Sequence, residues 1–148
     1  MNRELSAMAD LAQRLVRSGT PGTLSTLFSA HGSTYRPVGS MMVSLPGIHA
    51  GGISGGCLEE YVARAGERAT RSIAAVMLRF STHPDSDDDV PSLGCGGSIE
   101  VLVERLTPDH VAFLERFARA SECDEGSTLA CRLTQTGERL SVTREWLR

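Results

Sequence analysis

Apolar residues return at three- and four-residue steps between Arg3 and Arg17, at Leu5, Met8, Ala12, Leu15 and Val16. That spacing predicts an amphipathic helix, which Ser18-Gly19-Thr20-Pro21-Gly22 stops. Thr23 to Ala30 reads as a first strand with Leu24 and Leu27 toward a core, and Met41 to Leu45 as a second. Pro46-Gly47 turns the chain so that Ile48 to Gly51 pairs back as a hairpin. A second helix is expected from Gly56 or Cys57 to about Ser72, with Glu59 and Glu60 favouring its N-terminal dipole and Gly66 weakening its middle. Ala75 to Phe80 alternates Val76, Leu78 and Phe80 against Met77 and Arg79, the period of a half-buried strand. Ser98 to Arg105 alternates in the same way, with Ile99, Val101 and Val103 on one side. Between these strands, Ser81 to Pro91 is a polar loop with Asp85, Asp87, Asp88 and Asp89, read as solvated ahead of a Mg²⁺ site. Thr107-Pro108 is a helix start, N-cap then proline, and Val111, Leu114 and Phe117 give that helix its stripe. Thr128 to Leu133 and Arg139 to Val142 flank Thr136-Gly137 as a closing hairpin. The expected class is α/β, a mixed sheet flanked by helices in a single domain.

The bulk numbers fit this picture. A chain of 148 residues with 41% hydrophobic and 22% charged content supports one modest core. A net charge of −3 gives no broad footprint for nucleic acid. No run of 18 apolar residues spans a membrane, and Glu4 and Asp10 interrupt what a signal peptide would keep apolar. The chain is therefore read as cytoplasmic, where Cys57, Cys95, Cys123 and Cys131 stay reduced. All 15 basic residues are arginine, which excludes a phosphate-binding Walker lysine and a Schiff-base lysine.

Candidate chemistry gathers in three stretches. In Gly51-Gly52-Ile53-Ser54-Gly55-Gly56-Cys57-Leu58-Glu59, glycines opening a helix would bring backbone N–H groups together as an anion site. Cys57 near that helix N-terminus would favour its thiolate, able to bind a soft metal or to attack sulfur or carbon. The bland alternative is a tight turn with a small buried cysteine. Leu93-Gly94-Cys95-Gly96-Gly97 repeats the theme just before a strand. That order, and the absence of G-x-G-x-x-G, rejects a dinucleotide site. The two cysteines either face one pocket or merely sit in glycine-rich bends. Zinc is disfavoured, because there is no C-x-x-C and the spacing to His31 or His49 gives no support. The third stretch runs from His31 to Met42. In it Arg36 would hold a phosphate, or else brace the loop against Glu59, while Ser33 and Thr34 offer hydroxyl donors.

Taken together, Gly32-Ser33-Thr34-Tyr35-Arg36 with Gly39 and Met42, Ile53-Ser54-Gly55-Gly56-Cys57-Leu58-Glu59, and Leu93-Gly94-Cys95-Gly96-Gly97 with Ile99-Glu100-Val101-Leu102-Val103-Glu104 resemble the XdhC/CoxI family. This family comprises accessory proteins of xanthine and carbon monoxide dehydrogenases. The resemblance covers about residues 5 to 120 and is to the family's N-terminal domain; the family's C-terminal Rossmann-like domain is absent from these 148 residues. It implies a chaperone more than a catalyst, one that binds the molybdenum cofactor (molybdopterin), supports its sulfuration with a cysteine desulfurase, and hands it to an apo-molybdoenzyme of the xanthine dehydrogenase family. The cofactor-contacting residues it implies are Ser33, Arg36, Ser54, Gly55, Gly56, Cys57, Glu59, Gly94, Cys95, Gly96 and Gly97. Cys57 and Cys95 would be molybdenum ligands or sulfur-handling thiols. A partner chain supplying the missing domain, or a homo-oligomer, is compatible with this picture. The competing readings are a thiol redox or sulfur-transfer enzyme using Cys57, and a docking module that has lost its cofactor.

Overall fold

The computed structural model describes residues 3–81, 97–123, 126 and 128–147. Its elements in chain order are α1 (Arg3–Ser18), β1 (Thr23–His31), β2 (Met41–Leu45), β3 (Ile48–Gly51), α2 (Glu59–Ala69), β4 (Ala75–Ser81), β5 (Ser98–Arg105), α3 (Pro108–Glu122), β6 (Thr128–Thr136) and β7 (Arg139–Leu147). Helices flank a five-stranded sheet of order β3-β2-β1-β5-β4, and β6-β7 form a separate hairpin. The expected α/β class holds, and each described strand pairing is antiparallel.

The sheet is covered on both faces, which explains why β1 lacks a clean polar side. Each residue from Thr23 to Leu27 is buried. On one face Leu24, Met41 and Val43 pack under α1 with Leu114 of α3. On the other, Leu27, Met42, Val101 and Val103 pack under Leu58 and Val62 at the start of α2. The α1 stripe buries Leu5, Met8, Leu11, Ala12 and Leu15. Gly19, at φ +68°, then turns the chain out of the helix, and Thr20 N–H returns to the Leu15 carbonyl at 3.0 Å.

The second helix is shorter than its pattern predicts. It begins at Glu59, not at Gly56 or Cys57, and its C-cap is Thr70. Its start is delayed because Gly56 takes φ +116°, outside the right-handed helical region, in a loop where the N–H groups of Ile53, Ser54, Gly56 and Leu58 go to side chains, as described below. Gly66 serves close packing: a β-carbon there would lie 2.6 Å from Val103 Cγ1, so its absence lets α2 sit down on β5. The Thr107-Pro108 start is as expected. Thr107 caps α3 and His110 completes a capping box by accepting the Thr107 N–H at Nδ1, 3.1 Å. The closing hairpin extends beyond its expected ends, to Thr136 and Leu147, with Gly137 at φ +61° in the turn. The aspartate run at 85–89 lies outside the described residues. No described helix is long and apolar enough to cross a membrane.

Candidate functional site

Two of the stretches singled out in the sequence, and Gly97 at the end of the third, meet at one end of the sheet. β1 leads into the loop 32–40, β3 leads into 52–58, and β5 begins beside the end of β1, with His31 opposite Ser98.

Glu59 organises the first glycine–cysteine loop. It is 4% exposed and its carboxylate turns back along the chain. Oε1 accepts the N–H groups of Ile53 (3.1 Å) and Ser54 (2.9 Å). Oε2 accepts the Ser54 hydroxyl (2.6 Å) and the Leu58 N–H (3.3 Å). Ser54 Oγ in turn accepts the N–H groups of Gly56 (3.1 Å) and Leu58 (3.3 Å). The convergence of backbone donors expected from the glycines exists, and the anion it surrounds is the chain's own. Burial pushes the Glu59 carboxyl upward. Hydrogen bonds from the Ser54 hydroxyl and from the N–H groups of Ser54, Glu59 and Ile53 outweigh that and hold it below the usual carboxylate range. Among the described residues, the N–H groups of Gly55 and Cys57 carry no hydrogen bond.

Several glycines prove to be seats for the neighbouring loop. The Arg36 guanidinium lies on Gly52, where a β-carbon would sit 3.1 Å from Nη2 and 3.4 Å from Glu59 Oε1. The ion pair of Arg36 is with Glu4 on α1 (Nη1–Oε1 2.8 Å), not the brace to Glu59 that the sequence suggested. The Tyr35 ring lies on Gly55, where a β-carbon would be 3.0–3.4 Å from three ring atoms. Gly97, the last residue of the second glycine–cysteine stretch, is pressed on the first loop: a β-carbon there would fall 2.5 Å from the Ser33 carbonyl oxygen and 2.7 Å from that of His31. Gly56 differs from these. Nothing lies within 4 Å of its missing side chain, and its φ of +116° is a backbone requirement.

Cys57 is exposed, two residues before α2, and its thiol makes one long contact, 3.9 Å to Ser54 Oγ. Cys131 is the opposite case. It is half-buried on β6 across from Arg144, and burial pushes its thiol up, which makes it a poor nucleophile. Ser33 is exposed, Ser54 is buried and holds the loop, and Arg36 and Tyr35 flank the first glycine segment. Gly94, Cys95 and Gly96 lie outside the described residues. Among the described residues, no group of three or more His, Cys, Asp or Glu side chains is placed to hold a metal ion.

A second polar cluster lies at the other end of β5. Glu104 is buried and accepts both Arg144 guanidinium nitrogens and, at 3.3 Å, His110 Nε2. His110 Nδ1 takes the Thr107 N–H, so both ring nitrogens are occupied. Burial raises the Glu104 carboxyl; hydrogen bonds from His110 and Arg144, with the Arg144 charge, lower it further than burial raises it. Beside this cluster is a cleft of about 1070 Å³, with Phe113, Arg116, Leu140 and Trp146 in its walls. No local pattern announces the Glu104 cluster, because its members come from β5, α3 and β7. Sequence reading also passed over Tyr35 as a site residue: an exposed tyrosine carries no signal until Gly55 is seen beneath it.

Residues 15–81 match the model of the XdhC and CoxI family. That stretch holds both the loop after β1 and the first glycine–cysteine segment, so the resemblance read from the motifs is borne out there. Over 99 residues the chain is 32% identical to a protein of Bacillus subtilis (strain 168) described as a probable xanthine dehydrogenase subunit, a match covering 64% of this chain and 29% of that protein. The chain thus spans less than a third of that relative's length. A crystal structure of a xanthine dehydrogenase from Bacillus halodurans shares the fold, with a TM-score of 0.68 at 22% identity over 95% of this chain and 42% of that one.

Proposed function

We propose that this chain, similar to the XdhC and CoxI family, is an accessory domain of a xanthine dehydrogenase-type molybdoenzyme. It holds the molybdenum cofactor during sulfuration and before insertion. The observation that carries this reading is the exposed Cys57 thiol, seated on a loop that Glu59 fixes and that the loop after β1 adjoins through Tyr35 and Arg36. A relative named for xanthine dehydrogenase supports the choice of client. These 148 residues act as the family's N-terminal domain, in the cytoplasm, with a cysteine desulfurase supplying sulfur.

The residues present fit such a group in part. A thiolate is a soft donor suited to a metal–sulfur centre, and Cys57 offers one without steric cover. Cys95, two residues before Gly97 in the chain, is the second candidate thiol. The bound cofactor would supply the molybdenum–sulfur chemistry. The chain's own residues orient it and keep a thiol at hand. For a phosphate, Glu59 has already taken three backbone donors. What remains is the N–H of Gly55 and of Cys57 and the part-exposed Arg36, so Arg36 is the main phosphate contact in this reading.

The test is molybdenum content after purification from cofactor-loaded extract. Wild type should carry molybdenum and the Cys57→Ser/Cys95→Ser variant should carry little. Equal metal in both, or none in wild type, removes the proposal.

A further inference from the structure

Tyr35 is placed as an aromatic platform. Three consecutive ring atoms, Cγ, Cδ2 and Cε2, would lie 3.1, 3.0 and 3.4 Å from a β-carbon on Gly55. Near-equal distances to neighbouring ring atoms describe an approach to the ring's face; edge-on, the two flanking atoms would stand well beyond the nearest one. One face of the ring is therefore spent on Gly55. The residue is nonetheless 65% exposed, the most exposed large hydrophobic residue described, so its other face is open to solvent. Leaving such a face uncovered forfeits apolar burial. Here the loop is also held from both sides, by Arg36 on Gly52 and Glu4 and by Gly97 under the Ser33 carbonyl. The exposed thiol of Cys57 is two residues along the chain from the ring's seat.

We infer that Tyr35 stacks a planar conjugated ring of the ligand beside Cys57. Resting on the cofactor reading above, that ring is the pterin. Gly55 is then glycine because its bare backbone seats the platform. A phenyl ring serves as well as a phenol, and an aliphatic side chain does not, because the interaction needs a π-face.

Two measurements on the full chain test this. The first titrates pterin-6-carboxylate, a planar fluorescent pterin without metal or phosphate, and reads its quenching. Wild type and Tyr35→Phe should bind alike, and Tyr35→Leu should bind roughly tenfold more weakly or worse, the scale of base–aromatic stacking. Equal affinity for Tyr35→Leu, or no quenching by wild type, overturns the pterin assignment. The second measurement needs no cofactor. In a chain with Cys95, Cys123 and Cys131 changed to serine, Cys57 is alkylated with N-phenylmaleimide and with N-ethylmaleimide, each rate normalised to glutathione. The phenyl preference should be present with Tyr35 and Tyr35→Phe and lost with Tyr35→Leu; a ratio indifferent to Tyr35 overturns the platform. A lost ratio in a protein that never carries molybdenum keeps the platform and removes the cofactor reading. Retained molybdenum with an indifferent ratio does the reverse.

Discussion

Two buried glutamates stand near opposite ends of the sheet, and their partners differ in kind. Glu104 is held by side chains distant along the chain, Arg144 from β7 and His110 from α3. Glu59 is held within six residues, by the backbone of 53–58 and the Ser54 hydroxyl. Both carboxyls lie below the ordinary range despite burial. The first arrangement ties elements together; the second shapes a loop. A cleft of about 1070 Å³ adjoins the Glu104 cluster, yet the carboxylate there is paired with Arg144 and His110, and the imidazole is also taken by Thr107. At the Glu59 end the charge is equally satisfied, and its satisfaction leaves a thiol and an aromatic face free. Burial of charge by itself therefore does not mark a site; the proposed function rests on what the pairing leaves exposed.

The contrast is tested hardest at Glu104. In Glu104→Ala the Arg144 guanidinium, 14% exposed, loses its counter-ion. Removing one partner of a buried pair costs about 3–5 kcal/mol. Urea unfolding should show that loss, and hydrogen exchange should show β6 and β7 opening first. Arg144→Met in the same chain should restore part of it. A loss below about 1 kcal/mol, the range of a surface pair, would mean that the cluster is not a clasp.

Glu59→Ala ranks next. Three N–H groups and a hydroxyl lose an anionic acceptor, and water reaches some of them once the side chain is gone. A loss of about 2–3 kcal/mol is expected from hydrogen bonds to a charged group. Exchange should quicken at residues 53–58 and leave the β6-β7 hairpin unchanged. Faster exchange in that hairpin would erase the distinction between local and distant ties.

Acid titration reads both groups at once. Each carboxyl binds its proton more weakly folded than unfolded, so each contributes stability above its unfolded value, and that stability is lost as pH falls through the folded value. The slope reaches at most about 1.4 kcal/mol per pH unit for each group. Glu104→Gln and Glu59→Gln should each flatten the acid limb measured by circular dichroism between about pH 5 and pH 2. An unchanged limb in both would place the acid sensitivity elsewhere.

How much of this could be read from the sequence follows the range of the interactions. The α1 stripe, the alternation in β4 and β5 and the Thr107-Pro108 start are local patterns, and each produced its element. α2 starts later than its pattern suggests because Gly56 takes φ +116°, outside the right-handed helical region, in a loop that the Glu59 carboxylate folds back on itself. The glycine segment around Gly55-Gly56 reads as an anion cradle because sequence shows missing side chains without showing what fills the space. Arg36 and Tyr35 fill it, from a loop 16 or more positions earlier. Arg144 and Glu104, 40 residues apart, have no spacing that could mark them as a pair.

The smallest expected change in stability belongs to the residue with the largest proposed role. Cys57 makes one long thiol contact and buries little, so Cys57→Ser should stay within about 0.5 kcal/mol of wild type, as surface substitutions usually do. Serine keeps nearly the same shape, but it cannot offer a soft anionic sulfur. A loss of molybdenum at unchanged unfolding midpoint would separate chemistry from folding at this position. A destabilised Cys57→Ser chain would instead make the thiol part of the loop's structure, and the two ends of the sheet would then be alike in using polar side chains chiefly to hold the fold.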